Sequence, residues 1–394
     1  EELMGDNTID ASQVRQLVAG NQVTAILMED GTIYAWGNDG LNATNLSSVI
    51  KHGKKESKLV KLAFTNDGLY GIDEDGNFVP GKSSKFNTIT IQDENGQKMS
   101  KSKGNAVDPF NALETYGADA IRWYFYTSSA PWLPKRFSGK AVQEGQRKFM
   151  STLWNTYAFF VLYANIDNFN PMEHKLEYDK LPPMDKWILS KLQTLVKYVD
   201  NCLFTYKITE PARALQSFVD DMSNWYVRRS RERFWASGMP QDKVNAYMTL
   251  YTVLSTLAKV SAPFTPYIAE EIYRNIVVKV DNSVPESVHL CDFPEAVEEW
   301  IDKDLEENMD LVLDIVVLGR AARNEANIKN RQPIGTMFVR AERALPEMYA
   351  GIVLDELNVK KIEFTDDVEG FVTYKFKPQL RTLGPKYGKL VPKI

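Results

Sequence analysis

The spacing of apolar residues changes near residue 92, and this change constrains the fold more than any other feature. Before it, short runs of Val, Ile, Leu and Tyr are separated by turn-forming strings, namely Asp30-Gly31, Asn66-Asp67-Gly68 and Asp75-Gly76. Asp-Gly between apolar runs is typical of β-hairpins, because glycine adopts the positive φ that tight turns require. From about residue 110, apolar residues recur at helical spacing. The sequence therefore predicts a multidomain chain, all-β at first and then helical.

The β-rich region contains an internal repeat. Two strings align on Asp-Gly turns that are 45 residues apart, the first running from Val18-Ala19 to Trp36-Gly37 and the second from Leu62-Ala63 to Pro80-Gly81. A period of this length with strands and glycine turns is typical of propeller blades. Because each blade must be covered by neighbours, two copies cannot close a propeller. We expect residues 1–92 to form a β-rich, propeller-like repeat segment.

Residues 181–333 show the pattern of an all-α bundle with short loops. Four amphipathic helices are predicted: one with Asp185 as its N-cap, one starting near Thr209, one ending before Pro263, and one over Leu305–Ala326.

The pattern changes again after Pro333. Predicted strands 336–341, 359–364 and 371–376 accompany a predicted helix at Pro346–Leu357. We expect a small C-terminal α/β region over 334–394 that is cut short at Ile394.

The composition narrows the range of functions. Cys202 and Cys291 are the only cysteines and lie far apart, which excludes a disulfide framework or a cysteine-based zinc site and suits a reducing cytosol. No apolar run approaches the roughly 18 residues of a membrane span. The net charge of −5 argues against indiscriminate nucleic-acid binding, so RNA binding needs local basic clusters. We expect a cytoplasmic protein without a membrane partner.

One short string is suited to phosphate chemistry. The lysine loop, Lys98–Ser102 with Lys103 and Gly104 after it, places three lysines within six residues that contain no acid. Serine and glycine keep the backbone mobile, and lysines act as point charges on phosphate oxygens. Such a loop can close over a triphosphate and stabilise charge mainly in the transition state. The alternative is a solvated basic loop, the usual meaning of a Lys/Ser-rich string alone.

The longer string KMSKSKGNAVDP, Lys98–Pro109, resembles the second signature of class I aminoacyl-tRNA synthetases. Gly104-Asn105 and Asp108-Pro109 also commonly follow it in the isoleucine, valine, leucine and methionine enzymes. The resemblance implies that the loop binds ATP, with Mg²⁺ as part of the substrate complex, through Lys98, Met99, Ser100, Lys101 and Ser102. It further implies catalytic roles, in which Lys101 contacts ATP during adenylate formation and Lys98 assists. No metal site is predicted in the chain itself.

The segment after the loop is similar to a connecting stretch of the same enzymes. Gly117–Arg122, GADAIR, resembles the start of the segment that joins their catalytic core to the anticodon-binding domain. By itself it is a helix start with Asp119 in the first turn, which more often has a structural role. We expect residues 93–180 to contain the loop and this stem-contact, connecting segment.

An arginine-rich string lies inside the predicted bundle. Asn224–Trp235, NWYVRRSRERFW, resembles the bundle signature of isoleucine and valine enzymes, which implies an anticodon-binding domain. Arginines with aromatic residues can bind phosphates and stack on bases, although Trp225 continues the buried stripe and is expected in the core. The candidate tRNA-binding residues here are Arg228, Arg229, Arg231 and Arg233. The alternative is ion pairing with Asp220, Asp221 and Glu232.

Three further candidates for tRNA binding are Arg323, Lys329 and Arg331, in the string ARNEANIKNRQPIG. The alternative is a positive helix end that complements the helix dipole. Together with LDELNVKKIEF and the C-terminal string, this pattern resembles isoleucyl-tRNA synthetases of the clostridial and eukaryotic type, over about residues 93–394. The first copy of the repeat resembles regulator-of-chromosome-condensation repeats.

A class I catalytic domain also needs a His-Ile-Gly-His signature, and none of His52, His174 and His289 stands in such a string. The resemblance therefore implies part of an isoleucine–tRNA ligase, which activates isoleucine with ATP and transfers it to tRNA(Ile), with this chain inactive in isolation. Two other functions stay open: an inactive tRNA-binding module and a propeller-type protein-interaction fusion. Whether residues 1–92 arise from fusion, insertion or sequence assembly also stays open.

Overall fold

The computed structural model describes residues 11–19, 23–37, 49–52, 55–65, 68–74, 78–80, 91–130 and 133–366. The chain divides into two compact units, Glu1–Thr115 with Ser128–Ala141, and Tyr116–Thr127 with Val142–Ile394. Each unit is described by itself. The four-part division at residues 92, 180 and 333 stays a prediction.

The first unit begins with two antiparallel sheets. One contains β1 (Val14–Ala19), β2 (Val23–Met28) and β3 (Ile33–Gly37), and the other β4 (Val49–His52), β5 (Lys55–Thr65), β6 (Gly68–Asp73) and β7 (Phe78–Pro80). The predicted turn at Asp30-Gly31 is confirmed: Asp30 accepts a hydrogen bond from the amide of Thr32, and Gly31 has a φ of 89°. The other two predicted Asp-Gly turns lie partly or wholly outside the described residues.

The internal repeat is confirmed in the strand register. Leu17 pairs with Ile26 in the first copy, and Leu62 pairs with Gly71 in the second, which is an offset of 45 residues on both strands. The irregularity in each ladder follows the same offset, between residues 14 and 16 and between 59 and 61. Leu17, rather than Val18, is therefore the equivalent of Leu62.

The two copies share a small apolar core. Leu27 and Ala25 of the first copy pack with Leu59 and Leu62 of the second. The side chain of Gln16 also bonds to both backbone groups of Leu62, at 3.0 Å to its oxygen and 2.7 Å from its nitrogen. Small β-sheets are thus present, whereas a propeller is not shown.

The rest of the first unit contains the lysine loop and the elements before and after it. It contains β8 (Ile91–Gln92), a 3₁₀ turn at Lys101–Lys103, α1 (Pro109–Tyr116, which ends at the border between the units) and β9 (Lys135–Arg136). β8 and β9 pair in parallel, and the amide of Phe137 donates to the oxygen of Gln92 at 2.8 Å. A paired strand therefore precedes the loop, with a turn at residues 93–97 between them.

The second unit is mainly helical, as the sequence predicts. Its helices are α2 (Ala118–Ser128), α3 (Gly139–Gly145, which spans the border between the units), α4 (Thr152–Asp167), α5 (Pro183–Phe204), α6 (Thr209–Asp221), α7 (Arg228–Trp235), α8 (Gln241–Ser261), α9 (Pro266–Tyr273) and α10 (Lys303–Glu325). The four predicted helices correspond to α5, α6, α8 and α10. Their apolar faces bury large side chains, among them Trp187, Tyr226, Phe234 and Tyr247. No helix among the described residues is long and apolar enough to span a membrane.

The predicted N-cap of α5 is wrong. The helix begins at Pro183 after Pro182, and proline suits this position because its missing N–H has no partner in a first turn. Asp185 instead lies inside the first turn with no exposed surface. Its carboxylate binds side chains of α7 and of the turn before it.

The C-terminal α/β region is confirmed as far as the structure describes it. β10 (Ile334–Val339) and β11 (Val359–Phe364) pair in parallel, and α11 (Glu347–Leu357) connects them. A helix is the usual crossover between parallel neighbours. The predicted strand at 371–376 lies outside the described residues.

Candidate functional site: the lysine loop and the arginines of the bundle

Asp93 organises the segment that leads into the lysine loop. One carboxylate oxygen accepts hydrogen bonds from the backbone amides of Asn95 at 3.0 Å and Gln97 at 2.8 Å. The other accepts from the side-chain amide of Asn105 at 2.9 Å. The Asn105 amide, followed by the backbone amides, holds the pKa of Asp93 below its ordinary value. Asp93 is therefore an ionised anchor at the start of the loop.

Asn105 closes the loop from its other end. Its side-chain oxygen accepts from the amide of Ser100 at 2.9 Å, and its nitrogen also approaches the oxygen of Lys98 at 3.4 Å. Asn105 was predicted only as part of the string that resembles the family, and Asp93 was not predicted. The available signal was the turn string Asp93-Glu94-Asn95-Gly96, because aspartate commonly bonds to the amide two residues later.

The lysines of the loop extend into solvent where the structure describes them. Lys98 and Lys103 are exposed, and neither forms an ion pair with any residue that the structure describes. Lys101 begins a 3₁₀ turn, but its side chain lies outside the described part. The hydroxyls of Ser100 and Ser102 are 3.2 Å apart. The loop thus has lysine charge available for an anion.

Helix α2, which contains the GADAIR string, is anchored within the second unit. Asp119 accepts from the amides of Ile268 at 2.8 Å and Tyr267 at 3.4 Å, so it caps α9. Arg122 donates to the oxygens of Pro263 at 2.9 Å and Phe264 at 3.2 Å, beyond the end of α8. Burial raises the pKa of Asp119 despite these bonds. The first-turn position of Asp119 is confirmed, but its carboxylate acts on another helix.

Arg233 belongs to a buried network. Its guanidinium bonds to both oxygens of Asp185, at 2.7 and 2.8 Å, and to Asp242 at 2.9 Å. The hydroxyl of Tyr226 donates to Asp185 at 2.8 Å. Burial and the Asp185 carboxylate raise the pKa of Tyr226 well above its ordinary value. Arg233 therefore fixes the position of α7 against α5 and the start of α8.

Arg228 and Arg229 bind a carboxylate from the C-terminal region. Each donates to the same oxygen of Glu356 at 2.7 Å, and Arg320 of α10 donates to the other oxygen at 2.6 Å. The Glu356 side chain is only 3% exposed. Burial alone would raise the pKa of Glu356, but the hydrogen bonds and charges of Arg228 and Arg229 hold it below its ordinary value. Glu356 thus joins α11 to α7 and α10.

The acidic partners expected for these arginines differ from those observed. Asp221 pairs instead with Lys191, at 2.7 Å. Arg231 is exposed and forms no ion pair within the described part of the chain. Trp225 is buried, as expected, with the Arg228 guanidinium 5.6 Å from its ring centre. Arg231 is therefore the member of the string with its charge free.

The three basic residues near the end of α10 also differ among themselves. Arg323 is 5% exposed, and its guanidinium donates to four backbone oxygens, those of Lys329, Gln332, Leu357 and Asn358. It therefore ties α10 to the end of α11 and presents little charge to solvent. Lys329 and Arg331 are exposed. Among the described residues, no group of three or more His, Cys, Asp or Glu side chains could hold a metal ion.

Three protein families match parts of the chain. Residues 185–338 match the anticodon-binding domain of tRNA ligase, residues 79–132 match the class I tRNA synthetases of the I, L, M and V group, and residues 14–42 match the regulator of chromosome condensation (RCC1) repeat. These matches confirm the family resemblances predicted from the lysine loop, from the bundle and from the first copy of the repeat.

Curated relatives carry the name isoleucine–tRNA ligase. The protein of Clostridium novyi is 56% identical over 304 residues, which are 77% of this chain and 29% of the relative. The protein of Bacteroides fragilis is 44% identical over 76% of this chain and 27% of the relative. Isoleucine–tRNA ligase 2 of Bacillus cereus is 46% identical over 76% of this chain and 29% of the relative. The chain therefore spans less than a third of the length of these relatives.

A solved structure is also similar in part. It is the ternary complex of LeuRS, tRNA and LeuAMS from Agrobacterium radiobacter, with 18% identity and a TM-score of 0.42, over 54% of this chain and 24% of that one. A TM-score this low supports no argument about function.

Proposed function

We propose that this chain is the part of an isoleucine–tRNA ligase that supplies the lysine loop and the anticodon-binding helices. The observation that carries the proposal is the loop itself: a string of the class I type with exposed lysines, in a chain 56% identical to isoleucine–tRNA ligases over 77% of its length. The complete reaction joins isoleucine to tRNA(Ile) with ATP. This chain contributes to two of its steps.

The first contribution is to the activation of isoleucine. Lys98 and Lys101 bind the triphosphate of ATP, within a contact surface made by Lys98, Met99, Ser100, Lys101 and Ser102. Their charges offset the negative charge that develops on the phosphates as pyrophosphate leaves, which is catalysis by electrostatic stabilisation. Mg²⁺ accompanies ATP as its counter-ion, and the residues of this chain are assigned no part in holding it.

The second contribution is tRNA binding by the bundle and the region after it. The exposed candidates, Arg231, Lys329 and Arg331, have donors available for phosphates. Arg233 and Arg323 are occupied by internal partners, so we assign them structural roles. The Arg228 side chain is 39% exposed, although two of its nitrogens bond to Asn224 and Glu356, so it stays a candidate. We place the connecting segment at 93–180, the bundle at 181–333 and the protein in the cytoplasm.

The test is binding of tRNA to the purified chain. We expect measurable affinity that falls as salt rises, because phosphate contacts release counter-ions. Tighter binding of isoleucine tRNA than of an unrelated tRNA would support anticodon reading. Equal affinity for both would contradict it.

A second experiment separates this proposal from a complete enzyme. The sequence contains no His-Ile-Gly-His string, so we expect no isoleucine-dependent exchange between ATP and pyrophosphate by the chain alone. Clear exchange would show that the chain holds a complete adenylation site. The RCC1-type match favours a protein-interaction role only for residues 14–42.

A further inference from the structure

We propose that Asn105 and Asp93 form a clamp that fixes the backbone of the lysine loop, with Asn105 as a positioning residue for the lysines. The clamp deepens the proposed function and rests on it in one respect: the fixed position serves the reaction because the lysines meet a triphosphate. The hydrogen bonds themselves do not depend on that assignment.

Asn105 holds the loop on both sides of Met99. Its side-chain oxygen accepts from the amide of Ser100 at 2.9 Å, and its nitrogen lies 3.4 Å from the oxygen of Lys98. The same nitrogen donates to Asp93 at 2.9 Å. A side-chain amide combines an acceptor and two donors, so alanine cannot replace Asn105, and an aspartate there cannot donate to the Asp93 carboxylate.

Asp93 supplies a rigid base for this bond. Its backbone N–H donates to the backbone oxygen of Gln97 at 2.8 Å, and its backbone oxygen accepts from the N–H of Gly96 at 2.9 Å. Gly96 has a φ of 81°, which favours glycine at the tight turn. The carboxylate then bonds to the amides of Asn95 and Gln97. The acceptor that Asn105 meets is thus fixed by the turn that follows β8.

The clamp holds backbone and leaves side-chain charge free. Beyond Ser100 the chain turns once, with the amide of Lys103 donating to the oxygen of Ser100 at 3.1 Å. Gly104, with a φ of 67°, then brings the chain back to Asn105. Lys98 and Lys103 remain exposed throughout. A backbone held in this way loses less conformational freedom when the lysines bind an anion, which favours binding.

The test uses three variants of the full chain. Asn105→Asp places two carboxylates opposite each other, and Asp93→Asn places two amide nitrogens opposite each other. The double variant D93N/N105D exchanges the two side chains. It restores one donor facing one acceptor and still leaves an oxygen for the amide of Ser100. Rescue by the exchange distinguishes a paired clamp from two residues that are merely needed for folding.

The measurement is the rate at which trypsin cleaves after Lys98, Lys101 and Lys103, followed by mass spectrometry. Cleavage of a folded loop tracks the population of its open form. We expect each single variant to be cleaved roughly tenfold faster than the natural chain. This factor corresponds to a decrease of about 1.4 kcal/mol in the free energy of opening the loop. We expect the double variant to return to within about threefold of the natural rate. Thermal unfolding of the bundle should be the same for all four proteins.

Two outcomes would overturn the clamp: single variants cleaved at the natural rate, or a double variant cleaved as fast as the singles. A second arm adds inorganic tripolyphosphate to each protein. If the lysines bind phosphate, it protects the natural loop, and the single variants need a higher concentration for the same protection. Failure of tripolyphosphate to protect the natural loop contradicts the proposed triphosphate contact, while the cleavage rates without it still decide the clamp.

Discussion

The two basic clusters of the chain differ in what becomes of their charge. In the lysine loop, Lys98 and Lys103 are exposed and have no ion-pair partner among the described residues. On α7, three of the four arginines bind carboxylates elsewhere in the chain, and only Arg231 has no such partner in the part of the chain that the structure describes. A loop fixed by its own turn can expose its cations, whereas a helix packed on several neighbours has much of its charge neutralised by them. The density of basic residues in a sequence is therefore a weaker guide to RNA contact than the packing of the element that bears them.

The largest expected effect comes from breaking the buried network of α7. Asp185→Ala leaves the Arg233 guanidinium buried without its main partner, and loss of one member of a buried pair costs roughly 3–5 kcal/mol. We expect a fall of that size in the free energy of unfolding, measured by urea denaturation. Asp200→Ala, an exposed position on the same helix, is the matched control and should change it by less than about 0.5 kcal/mol. Equal unfolding midpoints would contradict the anchoring role of Asp185.

A smaller effect is expected at the carboxylate that joins α11 to the bundle. Glu356→Gln removes the charge that holds three arginines, and hydrogen bonds to charged groups contribute about 1.5–3 kcal/mol. We expect a loss of stability in this range together with tighter, more salt-sensitive tRNA binding, because the arginines are released. Asp355→Asn, whose partner is 3.6 Å away and whose side chain is 75% exposed, should change both properties far less. Unchanged stability and unchanged affinity would show that Glu356 does not hold these charges.

The difference in stability between the natural chain and Glu356→Gln should depend on pH. The pKa of Glu356 lies below its ordinary value of 4.5, so its carboxylate stabilises the fold fully above the pKa of the unfolded chain. That contribution is lost as the pH falls through the lower folded-state pKa. We expect the stability gap between the natural chain and Glu356→Gln to be widest near neutral pH and to shrink below about pH 4.5. A gap that stays constant into the acid range would assign the effect to packing rather than charge.

The smallest effect on stability is expected at the free arginine. Arg231→Ala should leave the free energy of unfolding within about 0.5 kcal/mol of the natural value, because the side chain is exposed. It should weaken tRNA binding and reduce the dependence of log affinity on log salt by about one unit. Glu232→Ala, the exposed neighbour, is the control and should not weaken binding. An unchanged salt dependence would remove Arg231 from the RNA contact.

The sequence predicted four main helices of the bundle because apolar spacing is a local signal, and it did not predict α3, α4, α7 or α9. The four predicted helices are observed as α5, α6, α8 and α10, and the strands at 334–339 and 359–364 are close to the predicted positions. The repeat was visible because both copies contain the same Asp-Gly turn. Its register needed the paired strands, which show that the two copies align at Leu17 rather than Val18.

The partners of the charged residues were not predictable from local patterns. Arg228 and Glu356 are 128 positions apart, and Arg233 and Asp185 are 48 apart. An aspartate near a helix start reads as an N-cap, so the sequence assigned Asp185 a local bond although the tertiary fold supplies stronger donors. Before the lysine loop part of the pattern is local: the turn string after Asp93 gives a signal for its bonds to the backbone amides of Asn95 and Gln97, whereas its contact with Asn105, 12 positions away, was not predicted.

Helix α2 grips the corner between α8 and α9 from both sides. The cation of Arg122 meets the carbonyl oxygens of residues 263 and 264, and the anion of Asp119 meets the amides of residues 267 and 268. Both charges are one turn apart on a single helix, so α2 holds the end of α8 and the start of α9 together. We therefore expect the backbone amides of α2 and of the corner to exchange with solvent in one cooperative opening. A rotation of α2 would displace the end of α8 and the start of α9 together.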